Sequence, residues 1–130
     1  MTALTLVQTS TIVDKALDKG REMKLHPLTV VVLDAGGHMV AMKREDKSGI
    51  LRTGIANGKA WGTLGMGFGG REFARRAAAG GVFLQALMAA SDGRVVPASP
   101  TPFTPSALVV AGTGRSSLVM SGRSLARGIA

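Results

Sequence analysis

The sequence contains no cysteine, no tyrosine and a single tryptophan among its 130 residues. Without cysteine the chain forms neither disulfides nor thiolate-bound metal centres, and nothing in it indicates a redox compartment. No apolar run is long enough to cross a bilayer, and the amino terminus lacks the basic and apolar regions of a secretory signal. The sequence therefore predicts a cytoplasmic protein with no membrane partner.

Acidic residues are also scarce, since 8 Asp and Glu stand against 16 Lys and Arg, which gives a formal net charge of +8. An excess of this size raises the question of nucleic-acid binding. The basic residues are nevertheless spread along the chain, and the aromatic residues that would stack on bases make up only 4%. We therefore expect a solvated basic surface without a specific nucleic-acid partner.

The chain is instead rich in apolar and small residues. A hydrophobic fraction of 45% and a charged fraction of 18% argue against disorder. The length suits a single domain, residues 1–130, with one ordinary core. A small domain this apolar also favours burial of surface between identical copies, so we expect a homo-oligomer.

The first predicted element is a helix over residues 5–24. Thr5 and Gln8 have the spacing of a capping box, in which each side chain bonds the backbone of the other. Apolar residues then recur at helical spacing along one face. Pro27 disfavours helical geometry at His26 and so ends the segment.

The most informative stretch is an apolar hairpin with strands at 28–34 and 38–44. The Asp-Ala-Gly-Gly turn between them contains Gly36 and Gly37, which adopt positive φ at little steric cost. Helices are predicted at 50–64, 71–78 and 82–90, and short strands at 94–96, 107–111 and 118–120. This order predicts an α+β domain with an antiparallel sheet flanked by helices.

Three motifs together carry a family resemblance: the capped helix after residue 4, the hairpin sequence VVLDAGGHMV, and Ala-Asn-Gly-Lys-Ala at residues 56–60. In this order they resemble the GlcG/HbpS-like family, which includes the C-terminal domain of PduO-type proteins. The segments 71–77 and 91–97 are similar as well. Residues 98–130 depart from the family pattern, because the expected second strand and acidic helix start are replaced by a Pro/Ser/Thr and Arg/Ser-rich end.

The resemblance implies a profilin-like or PAS-like fold and a homo-oligomer, often a tetramer or octamer. Some members bind haem, and one secreted branch senses haem or redox state. Members occur beside operons for glycolate, propanediol or aromatic catabolism, and for most of them no reaction is established. Haem as a cofactor of this chain therefore rests on family analogy alone.

Lys59 is the first candidate catalytic residue. It lies on the predicted second helix among apolar residues, so its stem should be partly buried. Such a lysine needs an anionic partner, or has a lowered pKa and serves as a base or Schiff-base amine. The alternative, slightly favoured, is a structural ion pair with Asp34 that joins helix to sheet.

His38 is the candidate cofactor-binding residue, as a haem ligand or proton-transfer group, although a lone histidine at a hairpin is more often a polar strand end. Asp34 is explained by turn capping. Arg44 and Thr53 would line an anion pocket with Lys59 and Asp34, against the simpler reading of solvated surface positions. No metal-ligand cluster is present in the sequence.

Three functions therefore stay open. The first is a small-ligand-binding accessory protein, for haem or a related tetrapyrrole. The second is a small catabolic enzyme acting on a hydroxy acid or carbonyl compound through Lys59. The third is a ligand-free structural homo-oligomer, for which the small residues Gly54, Gly58 and Gly62 would form a packing face.

Overall fold

The computed structural model describes residues 4–68, 70–96, 107–111 and 117–120. Its helices are α1 (Leu6–Glu22), α2 (Arg52–Met66), α3 (Gly70–Ala78) and α4 (Val82–Ala90). Its strands are β1 (Thr29–Leu33), β2 (Met39–Arg44), β3 (Ala107–Ala111) and β4 (Ser117–Met120). These elements confirm the predicted α+β class, while the predicted loop at 97–105 lies outside the described residues. Within the described part, no helix has the length and apolar character needed to span a membrane.

The four strands form one sheet in the order β2-β1-β3-β4. The pairs β1–β2 and β3–β4 are antiparallel, as predicted. The central pair β1–β3 is parallel, so the sheet is mixed and the expectation of a wholly antiparallel sheet is wrong at this pair. Three helices separate β1 and β2 from β3 along the chain, and a connection of that length lets β3 enter the sheet in the same direction as β1.

Helix α1 begins where the sequence predicts. The Thr5 amide donates to Gln8 Oε1 at 2.9 Å, and the Gln8 amide donates to Thr5 Oγ1 at 3.2 Å. This capping box satisfies two amides at the start of the helix that have no partner within it. The helix ends at Glu22, two residues before the predicted end, and Lys24 has a left-handed φ of 55°.

Strand β1 forms the centre of the core, since all five of its residues are buried. Successive side chains of a strand point to opposite faces of the sheet. Val30 and Val32 therefore pack against α1, where they meet Val13 and Ala16. Val31 and Leu33 face the other way and pack against Ala56 and Ala60 of α2. The sheet thus lies between α1 and α2, which confirms the predicted flanking by helices.

The predicted hairpin turn is present. The Gly37 amide donates to the Asp34 carbonyl at 3.0 Å, and the Asp34 amide donates to the His38 carbonyl at 2.8 Å. Gly37 has a φ of +84°, which a residue with a Cβ adopts only with strain, whereas Gly36 does not use a positive φ. A bulge after the turn, between the pairs Val32–Ala41 and Leu33–Met39, fits this kind of three-residue loop.

Two glycines of α2 are in close contact with residues 94–96 of the same chain. A Cβ on Gly58 would lie 2.5 Å from Val96 Cγ2 and 2.7 Å from the Arg94 carbonyl oxygen, and a Cβ on Gly62 would lie 2.9 Å from Val95 Cγ1. The predicted strand at 94–96 is wrong, because this segment packs on α2 and joins no sheet. Most of the small-residue face is therefore covered within one chain.

Candidate functional site

The turn of the β1–β2 hairpin is organised by Asp34. Its Oδ1 accepts hydrogen bonds from the amides of Gly36 and His38, both at 2.9 Å. The amide of His38 lowers the pKa of Asp34 most strongly, and the His38 side chain and the Gly36 amide lower it further. Asp34 is therefore a carboxylate at neutral pH, and it has the turn-capping role that its position predicts.

His38 stands at the surface beside this carboxylate. Its Nδ1 lies 3.2 Å from both carboxylate oxygens of Asp34, and its side chain is 81% exposed. In neutral histidine an Nδ1–H that donates to a carboxylate leaves the lone pair on Nε2, the tautomer being assigned from this partner. His38 thus presents an oriented Nε2 acceptor or metal ligand to the solvent.

Trp61 of α2 packs beneath the same turn. A Cβ on Gly37 would lie 2.9 Å from both Cδ1 and Nε1 of the Trp61 ring, so the turn backbone rests on the indole. On its inner side, Trp61 packs against the core cluster formed by Val31, Leu33, Ala56 and Ala60. The ring therefore links the hairpin turn to the helix, and it fixes the turn that holds His38.

Arg94 stacks on Trp61, with its Cζ 4.1 Å from the ring centroid. This is a cation–π contact in which the guanidinium lies within the distance typical of such pairs. The backbone of Arg94 is held by the bond from its amide to the Ser91 carbonyl at 3.1 Å. Its carbonyl is also in close contact with Gly58. From the sequence, Trp61 is predicted only as a packing residue near a subunit contact, and Arg94 is not predicted as a site residue. The one local signal is the second turn glycine, Gly37, which indicates a close approach at the turn.

Lys59 is half-buried on α2 between Ala56 and Thr63. Burial lowers its pKa, and the nearby positive charge of Arg52 lowers it further. Among the described residues no carboxylate forms an ion pair with its ammonium. The predicted ion pair with Asp34 is therefore wrong, because that carboxylate is engaged by His38 and the turn amides instead.

The lowered pKa of Lys59 makes stability depend on pH. Because the folded chain releases this proton more readily than the unfolded chain, stability rises as the pH increases from the folded pKa towards the ordinary value of 10.5. We expect Lys59→Met to raise the Tm by roughly a few degrees at pH 7, with a smaller gain near pH 10. Melting curves at both pH values test this, with Lys15→Met, at an exposed position of α1, as the control. An equal gain in Tm at both pH values would contradict a lowered pKa of Lys59 in the folded chain.

Arg44 lies at the far end of the hairpin from Asp34. It pairs with Thr29 at the open end of the two strands, whereas Asp34 forms the turn. At about 3.3 Å per residue, a five-residue strand separates the two by roughly 15 Å. The Arg44 guanidinium donates to the Ser48 carbonyl at 2.7 Å, and Thr53 lies in the first turn of α2. The structure therefore does not bring Asp34, Arg44, Thr53 and Lys59 into one pocket.

A shallow cleft of about 360 Å³ lies beside Arg44, and it is lined by Arg21, Pro27, Arg44, Glu45 and Asp46. Two of the charged side chains that line the cleft, Arg21 and Glu45, already pair with each other. Arg21 Nε lies 2.8 Å from Glu45 Oε2, and the Leu28 amide donates to Glu45 Oε1 at 2.7 Å. Glu45 thus joins the end of α1 to the start of β1, and the cleft is a structural junction.

No group of three or more His, Cys, Asp or Glu side chains that would hold a metal ion occurs among the described residues. The groups suited to ligand chemistry are therefore the His38–Asp34 pair, the Trp61–Arg94 stack and the half-buried amine of Lys59. The first two share the turn of the hairpin, through Gly37. The described residues thus form a small α+β domain in which two of these three groups lie at or against one hairpin turn.

The chain belongs to the HbpS-like family. The model of that family, described as haem degrading protein HbpS-like, matches residues 4–123. No curated protein matches the sequence.

Three solved structures share the fold. Protein ORFY from Klebsiella pneumoniae has 17% identity and a TM-score of 0.67, over 99% of this chain and 85% of that one. The complex of PduOC with haem has 17% identity and a TM-score of 0.63, over 75% and 70% of the two chains. A double mutant of HbpS from Streptomyces reticuli has 22% identity and a TM-score of 0.60, over 89% and 70%.

Proposed function

We propose that this protein is a small-ligand-binding accessory protein whose ligand is haem or a related tetrapyrrole, with His38 as the iron ligand. The observation that carries the proposal is the exposed His38 imidazole, held through Nδ1 by the Asp34 carboxylate. The family match and the haem complex of a protein with the same fold support the choice of ligand.

The residues at the hairpin turn have the chemistry needed to bind haem iron. Haem iron binds an imidazole nitrogen, and a carboxylate on the other ring nitrogen orients the ring and makes it a stronger ligand. Asp34 occupies that second position. When bound, haem would supply an iron centre for ligand binding or redox chemistry, and this iron would be held by His38 with its ring oriented by the Asp34 carboxylate.

Titration of the purified protein with haemin, followed by the Soret band, tests the proposal. We expect His38→Ala to weaken binding by about 100-fold and Asp34→Asn by about 10-fold, since outer partners of metal ligands contribute 10- to 100-fold. His26→Ala is the matched control, because His26 is an exposed loop histidine and should bind haem as the wild type does. Equal binding by wild type and His38→Ala would refute the role of His38.

A second candidate function uses Lys59 as a reactive amine towards a carbonyl compound. The half-buried ammonium without a carboxylate partner among the described residues, and with a lowered pKa, favours it. Incubation with a small keto acid and borohydride should then add the mass of the reduced adduct at Lys59. Failure to form that adduct in the wild type would remove this candidate.

We also propose that the protein forms a homo-oligomer through α4. None of the nine residues of α4 is buried, although the helix is almost wholly apolar. Val82 is 76% exposed and Met88 43%. The helix carries no charged residue, so two copies of a chain with net charge +8 can meet there without bringing like charges together. The tetramer or octamer and the cytoplasmic location stay predictions from the sequence.

A further inference from the structure

We propose that Arg94 binds a carboxylate of the ligand, so that the site selects planar molecules that carry an acidic group. The inference rests on the proposed function and describes its ligand further. It depends on four groups that the fold brings to one hairpin turn: His38, the backbone of Gly37, Trp61 and Arg94. The chain of contacts runs from His38 through Gly37 to the Trp61 ring and on to Arg94.

The Arg94 guanidinium is available for an anion. It makes no hydrogen bond or ion pair with any other described residue, and its contact is the face of Trp61. Stacking leaves the edge of the guanidinium free, and its parallel N–H groups match the two oxygens of a carboxylate. Arg76, which is also a described residue and stacks on Phe68, differs in this respect because it already donates to Glu72 at 2.7 Å.

The position of Arg94 is also fixed before any ligand arrives. Val95 is buried and packs at Gly62, and the Val96 amide donates to the Gly58 carbonyl at 3.2 Å. The Ser91 hydroxyl accepts from the Val95 amide at 3.2 Å. These contacts hold the backbone on both sides of Arg94, which reduces the ordering that binding would otherwise require.

The Asp34 carboxylate does not pair with Arg94, because it is engaged by the two turn amides and by His38. The Arg94 guanidinium is therefore left to bind an acidic group of a ligand. A ligand that places a flat ring system at His38 and an acidic substituent at Arg94 matches these groups.

The test compares haemin, which carries two carboxylates, with its dimethyl ester, which carries none. We expect the wild type to bind haemin about tenfold tighter than the diester, and Arg94→Gln to bind the two equally, because a charge-assisted contact has been removed. Arg94→Lys should keep part of the preference for haemin over the diester. Arg76→Gln is the matched control, as it removes a stacked arginine elsewhere, and it should keep the whole preference.

The outcomes separate this inference from the proposed function. If the wild type binds both porphyrins and Arg94→Gln keeps the same preference for haemin, Arg94 does not bind the carboxylate and only this inference is overturned. If the wild type binds neither porphyrin, the proposed function and this inference both fall. Thermal melting of each variant shows whether a loss of binding comes from loss of the fold.

Discussion

Gly58→Ala should lower the free energy of unfolding by about 1–3 kcal/mol, the usual range for overpacking a well-packed site. The added methyl group would lie 2.7 Å from the Arg94 carbonyl oxygen and 2.5 Å from Val96 Cγ2. The side chain of Val96 can rotate, but the carbonyl belongs to a backbone segment held on α2. Residues 94–96 must therefore move away from the helix, and they carry Arg94 with them.

Gly54→Ala provides a control on the same helix. A Cβ on Gly54 meets nothing within 4 Å, so the substitution adds helix propensity without a clash. It should raise the free energy of unfolding by up to about 1 kcal/mol. Urea unfolding of both variants followed by far-UV circular dichroism measures the difference. If both substitutions stabilise the protein, segment 94–96 is not packed on α2 as described.

Met88→Glu should dissociate the homo-oligomer that we propose forms through α4. A charged side chain placed at the centre of an apolar contact loses its hydration without gaining a partner, which costs about 3 kcal/mol or more. The dissociation constant should rise by at least about 100-fold, because each 1.4 kcal/mol corresponds to a factor of ten. The folded monomer should survive, since Met88 is already 43% exposed in the single chain.

Thr11→Glu is the control for Met88→Glu. It adds the same charge at an exposed polar position of α1, away from α4. Sedimentation velocity over a range of micromolar concentrations should show the wild-type assembly for Thr11→Glu and monomers for Met88→Glu. Monomers for the wild type itself, or an unchanged assembly for Met88→Glu, would contradict the role given to α4.

Local signals explain what the sequence predicted well. The capping box of Thr5 and Gln8, the β-branched run before the turn and the two turn glycines act over a few residues, so α1 and the hairpin follow from the sequence nearly to the residue. The parallel pairing of β1 with β3 and the packing of residues 94–96 depend on contacts between distant segments. Contacts of this kind cannot be predicted from a short sequence pattern.

In the candidate site too, the features set by neighbouring residues were predicted from the sequence, and those set by contacts between distant segments were not. The turn-capping role of Asp34 follows from its place in the turn, and the structure adds that its carboxylate also orients His38. The stack of Arg94 on Trp61 joins residues 33 positions apart, and nothing near either residue in the sequence indicates the other. Lys59 was predicted to be partly buried, and it is, but its expected partner lies elsewhere, because the turn amides and His38 engage Asp34.

Native mass spectrometry of the protein after haemin loading and desalting shows whether His38 holds the haem. We expect an assembly of several chains in which the wild type retains one haem per chain, while His38→Ala gives the same assembly without haem. Wild-type protein that emerges without haem, or His38→Ala protein that retains it fully, would contradict the claim that the histidine at the hairpin turn holds the ligand.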